Sequence, residues 1–185
     1  LNNKILWMFV MILFIWNGTN TVALMNIKEN NRVEAQFPPI NYMAGTQIIK
    51  SNSANNIHYM AWGMYHIIGF TKFDRENIQA KFDAVSNMMT HERYVEKKPS
   101  MDKFIAGIKS NKLKSEFTIY NDEWTSNVLD EKNEYGQEIT QVNVEGEVKN
   151  KFAGYDDGRK KCNYWVQYFR KGGRTHVQDF GTSCF

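Results

Sequence analysis

The 185 residues are 42% hydrophobic, 14% aromatic and 23% charged, with three prolines, which excludes intrinsic disorder and Pro-rich low complexity. Twenty-three basic and twenty acidic residues give a net charge of +3. Beyond residue 50 the excess falls to +1, too near balance for a dedicated nucleic-acid binder, so no direct nucleic-acid binding is expected.

Ile5–Trp16 reads ILWMFVMILFIW, and the uncharged stretch continues to Leu24. At about 1.5 Å per residue it reaches roughly 30 Å, the thickness of a hydrocarbon core. Trp7, Phe9, Phe14 and Trp16 lie all around the helical wheel, leaving no polar side for water as a surface helix would need. Two readings remain. One is a membrane anchor over residues 1–24, with Ile5, Trp7, Phe9, Phe14, Trp16 and Leu24 in lipid. The other is a signal peptide cut after Thr21-Val22-Ala23. Both put the rest of the chain outside the cytoplasm.

Residues 25–50 have mixed polarity, no sustained period and the breaker Pro38-Pro39, and read as a tether. Residues 51–185 read as one domain. A polar run from Ser51 to Asn56 suits a loop and a helix cap. In Ile57–Phe70 an apolar face is expected from Ile57, Met60, Met64, Ile67 and Ile68 with Tyr59, Trp62 and Tyr65. Gly63, costly in mid-helix, implies close packing there. His58 and His66 are too far apart for an i,i+4 metal pair and read as ordinary, partly buried or surface histidines.

Asp74 is placed to cap a second helix with the stripe Ile78, Phe82, Val85 and Met89. Thr90–Lys98 reads as an exposed charged connection. Pro99-Ser100 then opens a third helix, with Met101, Phe104, Ile105 and Ile108 inward and Lys103, Lys109 and Lys112 outward.

From Ser115 the period becomes two. Phe117 and Ile119 alternate, and Val128 marks another short strand. Thr140–Phe152 puts Val142, Val144, Gly146 and Val148 on one face. Asp156-Asp157 followed by Arg159-Lys160-Lys161 reads as a solvated turn. Cys162–Arg170 and Thr175–Cys184 flank Gly172-Gly173, a hairpin signal. Helices followed by strands indicate an α+β domain, three helices on an antiparallel sheet of about four strands.

Two cysteines in an extracytoplasmic domain suggest one bridge. A three-residue hairpin loop would set Cys162 directly opposite Cys184; a two-residue loop would leave them one residue out of register. We expect the bridge.

No phosphate loop, G-x-S-x-G or H-E-x-x-H occurs. Histidines at 58, 66, 91 and 176 and the cysteines lack zinc spacing. No catalytic residue, metal or cofactor is expected.

The chain resembles the TraE family of conjugative type IV secretion proteins, VirB-type inner-membrane assembly factors. The resemblance rests on an N-terminal span, Phe37-Pro38-Pro39, Tyr59–Tyr65 (YMAWGMY), Asp74-Arg75-Glu76-Asn77-Ile78, Ile108-Lys109, Ser115-Glu116-Phe117, Val142–Gly146 (VNVEG) and Phe152-Ala153-Gly154, in that order. Arg75 stands where the family has proline. The cysteine pair is not part of the pattern.

The resemblance implies a single-pass protein of the bacterial inner membrane with a periplasmic domain like nuclear transport factor two. It implies no enzymatic activity, and as partners other secretion subunits, the lipid bilayer and further copies of the chain. Tyr59, Trp62, Tyr65, Gly146 and Phe152 become core or interaction candidates. The alternative is a periplasmic enzyme or small-ligand carrier on the same cone-shaped fold, with His66, Tyr65 and Asp83 as its titratable candidates.

Overall fold

Asn55 opens helix α1, Asn56–Phe70, its side chain accepting from the His58 N–H at 3.3 Å, which satisfies a first-turn donor. The computed structural model describes residues 48–50 and 52–184, with the backbone alone for 121–123. The expected anchor at residues 1–24 and nearly all of the tether lie outside the described residues. Among the described residues, no helix is long and apolar enough to cross a membrane.

After α1 come strand β1 (Lys72–Phe73) and helices α2 (Ile78–Ser86) and α3 (His91–Ser110). The four long strands follow: β2 (Leu113–Lys132), β3 (Glu138–Phe152), β4 (Tyr155–Lys171) and β5 (Arg174–Thr182). They form one curled antiparallel sheet in the order β1-β2-β3-β4-β5. The two-residue β1 adds a fifth strand to the four expected. Breaks in the β2–β3 register between Ile119 and Trp124 and between Val128 and Lys132 bend β2.

α1 buries an aromatic line, Tyr59, Trp62 and His66, with Ala61, Gly63 and Ile67. Ile57, Met60, Met64 and Ile68 lie at its margin, half-buried, so the buried face is rotated from the one expected. Gly63 permits this. A Cβ there would stand 2.4 Å from Val142 Cγ1, so the helix meets β3 backbone to side chain. Gly146 has a similar role within the sheet: its missing Cβ would lie 2.6 Å from the Phe117 ring and 2.3 Å from Thr118 O. On β3, Val142, Val144, Gly146 and Val148 all face the core.

The Asp74 carboxylate accepts from the N–H groups of Glu76 and Asn77, and its carbonyl from that of Ile78. It therefore caps the turn that leads into α2. α3 departs from expectation, starting at His91 rather than Pro99. Thr90 caps it, accepting from the Arg93 N–H, and the supposed connection is its first two turns. Pro99 sits inside the helix and cannot bond the carbonyl of Val95. Both residues lie on the exposed face of the helix.

Arg159-Lys160-Lys161 is exposed as expected but belongs to β4 and not to a turn. The turn lies at Ala153-Gly154, where both residues have positive φ, 50° and 94°.

The β4–β5 hairpin resolves the cysteine register. Its turn has two residues, Gly172-Gly173, with Lys171 facing Arg174. That alone would set the cysteines out of step. A bulge at Gln178 shifts the register by one, so Gln167 faces Asp179 and Tyr164 faces Thr182. Two residues further, Cys162 and Cys184 come to 5.1 Å between Cα atoms and are bonded through sulfur.

Candidate functional site

Two features of the interior carry polar or open chemistry. The first is a buried column between α1 and the sheet. His66 stacks between Trp62 at 5.6 Å and Tyr168 at 5.8 Å, centroid to centroid, and its Nδ1 shares a 2.6 Å hydrogen bond with the Tyr168 hydroxyl. Burial pushes His66 down to about 3 and the Tyr168 phenol well up, so both are neutral near pH 7.

His58 lies nearer the start of α1, bonded through Nε2 to Thr175 Oγ1 at 2.8 Å. Burial, and then the charge of Arg170, lower it to about 4. Arg170, fully buried, donates to Thr175 Oγ1 and Lys50 O, both at 2.9 Å, and to Gly173 O. It thereby ties the beginning of the domain to the β4–β5 hairpin. The expectation of partly buried or surface histidines is corrected: 0% and 3% of His58 and His66 are exposed. His66 meets rings and the Tyr168 hydroxyl, and His58 meets the Thr175 hydroxyl and the Arg170 charge, surroundings that suit neutral imidazoles.

The second feature is an open cleft of about 440 Å³ where α1, α2 and α3 approach the end of β5. Phe70, Phe82, Phe104 and Phe180 line it with Trp165 and Met101. Phe82 is the hub, 5.3 Å from Phe70, 5.5 Å from Phe180 and 5.7 Å from Phe104. Such a surface takes apolar groups with loose directional demands.

Its rim is ionic. Asp179 Oδ2 accepts from Lys97 Nζ at 2.7 Å and from Arg93 Nη2 at 3.5 Å, while Arg93 Nε donates to Gln178 O. These bonds fasten α3 to the bulged part of β5. At the cleft's inner wall, burial pushes the Tyr164 phenol up.

The titratable candidates do not converge. Asp83 is exposed on α2, accepting from Gln79. Tyr65 is half-buried, beside the His66 ring at 5.2 Å. Tyr59 and Trp62 are buried in the core, Gly146 lies under the Phe117 ring, and Phe152 is 37% exposed at the β3–β4 turn. Among the described residues, no group of three or more His, Cys, Asp or Glu is placed to hold a metal.

Sequence reasoning did not single out Arg170, Asp179, Trp165 or Phe180. Trp165 and Phe180 carried the one usable signal, an aromatic in each arm of the hairpin.

No family model and no curated protein matches the chain. Among solved structures it is similar to a crystal structure of the periplasmic domain of DotI. The TM-score is 0.54 at 13% identity, covering 73% of this chain and 99% of that one. The likeness is one of fold.

Proposed function

We propose that this protein is a component of a type IV secretion apparatus that works by contact with other subunits. The observation that carries the reading is the fold match. It spans essentially the whole of the DotI periplasmic domain, and DotI is a type IV secretion component. The order of TraE-like stretches is a second, independent support. Those stretches fall on structural positions: YMAWGMY in α1 with Tyr59, Ala61, Trp62 and Gly63 buried, VNVEG on the core strand β3, and Phe152-Ala153-Gly154 at a tight turn. A family pattern made of packing and turn residues suits a protein whose product is an assembly.

In the finer form of the proposal, the chain belongs with the conjugative TraE-like proteins, its domain is of the nuclear-transport-factor-two type, and it has no catalytic step. Ile5–Leu24 is its anchor in the inner membrane, the domain is periplasmic, and copies associate with one another and with other channel subunits.

Topology is tested by C-terminal fusions. Alkaline phosphatase should be active, and a cytoplasmic fluorescent reporter dark, in membrane fractions that retain the intact hydrophobic segment. The opposite pattern overturns the anchor and the periplasmic placement. Assembly is tested by purifying the tagged full chain from cells bearing its secretion cluster: subunits of that cluster should co-purify in fixed ratio, and their absence counts against the role.

A second reading, a carrier of small apolar ligands, is favoured by the aromatic cleft alone. Native mass spectrometry of the protein purified from its host distinguishes it, since a carrier would retain a bound apolar molecule that Phe82→Asp releases.

A further inference from the structure

β5 covers only part of β4. It pairs from Lys171 down to Tyr164 and ends at Thr182; the next residue, Ser183, donates its N–H to Asn163 O, beside the Cys162–Cys184 bond. Below that point, Tyr155–Lys161 pairs only with β3 among the described residues. The alternation of an antiparallel ladder then sets the direction of the free groups. Asn163 turns its backbone toward β5, so Lys161 and Arg159 turn theirs to the same side, where none of the described residues forms a strand.

Every residue from Lys151 to Lys161 is exposed, Tyr155 by 82% and Phe152 by 37%. Along the open edge stand Arg159, Lys160 and Lys161, with Lys149 and Lys151 on the facing strand. Their internal partners are surface carboxylates: Arg159 meets Glu147 at 3.7 Å with 72% of its side chain exposed, while Lys160 meets Asp157 and Lys149 meets Asp156, both at 2.8 Å. Such pairs contribute little and exchange readily for other carboxylates.

We propose that this edge is a docking site for an extended acidic segment of a partner protein. The segment adds as a strand beside β4, in line with β5, and bonds to the backbone of Arg159 and Lys161. Its carboxylates meet Arg159 and Lys161 on one face and Lys160 on the other, and an apolar residue covers Tyr155. A row of free N–H and C=O groups recognises polypeptide backbone, whereas a lipid surface or a nucleic acid would leave that row unused. The site lies at the far end of β4 from Arg170, which holds Lys50, up to about 50 Å along the strand. It therefore lies at the opposite end of β4 from Lys50. The inference rests on the reading that this protein works through protein contacts, and it names the surface.

The test uses the full chain and two labelled probes, the hexapeptide Glu-Val-Glu-Thr-Glu-Val and its Lys counterpart, followed by fluorescence anisotropy. The acidic peptide should bind and the basic one should not. Arg159→Glu with Lys161→Glu should reverse that preference. Lys161→Pro removes the outward donor while leaving the β3 ladder intact. It should weaken binding about tenfold beyond Lys161→Ala, which removes only the charge. Amides of Arg159 and Lys161 should gain protection from hydrogen exchange on binding, and thermal melts should show each variant folded.

The proposal is overturned by no binding up to about 1 mM peptide, or by equal effects of Pro and Ala. It is also overturned if vesicles of 30% phosphatidylglycerol in phosphatidylcholine, or duplex DNA, bind better than the peptide. A failure here removes this edge and leaves the assembly reading to its own co-purification test.

Discussion

Replacing Trp62 by alanine removes the largest ring on the buried face of α1. The indole is 5% exposed, stacked on His66 and edge-on to Tyr65 at 5.9 Å. A tryptophan buries about 200 Å², which at about 25 cal/mol per Å² gives roughly 5 kcal/mol. One term runs the other way. The indole N–H is buried without a hydrogen-bond partner among the described residues, so deleting it recovers about 1–2 kcal/mol of desolvation cost. The expected net loss is about 3–4 kcal/mol. With a urea slope of about 2 kcal/mol per molar, the midpoint falls by roughly 1.5–2 M. Trp62→Phe keeps a ring and drops the N–H, and should lose less than half as much. Urea melts followed by far-ultraviolet circular dichroism read both values. A loss below about 1 kcal/mol for Trp62→Ala would refute the packing argument and show an indole open to solvent.

The buried histidines make stability pH-dependent. His66 and His58 sit at about 3 and about 4 when folded against 6.5 unfolded, so the unfolded chain binds more protons between those values and 6.5. Stability should be full above pH 6.5 and fall by up to about 1.4 kcal/mol per histidine per unit below it; melts from pH 7.5 to 5 should show this slope, and His66→Phe should reduce it. Cys162→Ser with Cys184→Ser opens a loop with a sequence separation of 22 and should cost about 3 kcal/mol on the chain-entropy account; a melt indifferent to reductant contradicts the bond. Gly63→Ala forces a methyl against Val142 and should cost about 1–3 kcal/mol, with Val142→Ala restoring part of it; simple additivity would refute the contact.

The stripes of α2 and the alternation of β3 were legible because each repeats one environment at a fixed period. The Gly172-Gly173 hairpin was legible because the turn needs positive φ, 58° and 84° in the structure. The first two turns of α3 were not. Their charges lie on a solvated helix face with Val95 exposed among them, which leaves no apolar period to read. The bulge at Gln178 has no local signature either, yet it decides the alignment of the cysteines. His58 and His66 read as ordinary, partly buried or surface histidines because nothing local to α1 announces Thr175 and Tyr168, more than a hundred positions away. The aromatic cleft draws one or two rings from each of several elements, so only the assembled fold reveals it.

The central claim, that this protein is a part of a secretion apparatus, is tested most directly by transfer. The coding region is deleted in a donor carrying the plasmid and secretion cluster, and conjugation frequency is measured with and without the full chain supplied in trans. The account predicts a loss of several orders of magnitude, restored by the full chain. Transfer that continues undiminished in the deletion strain would contradict it.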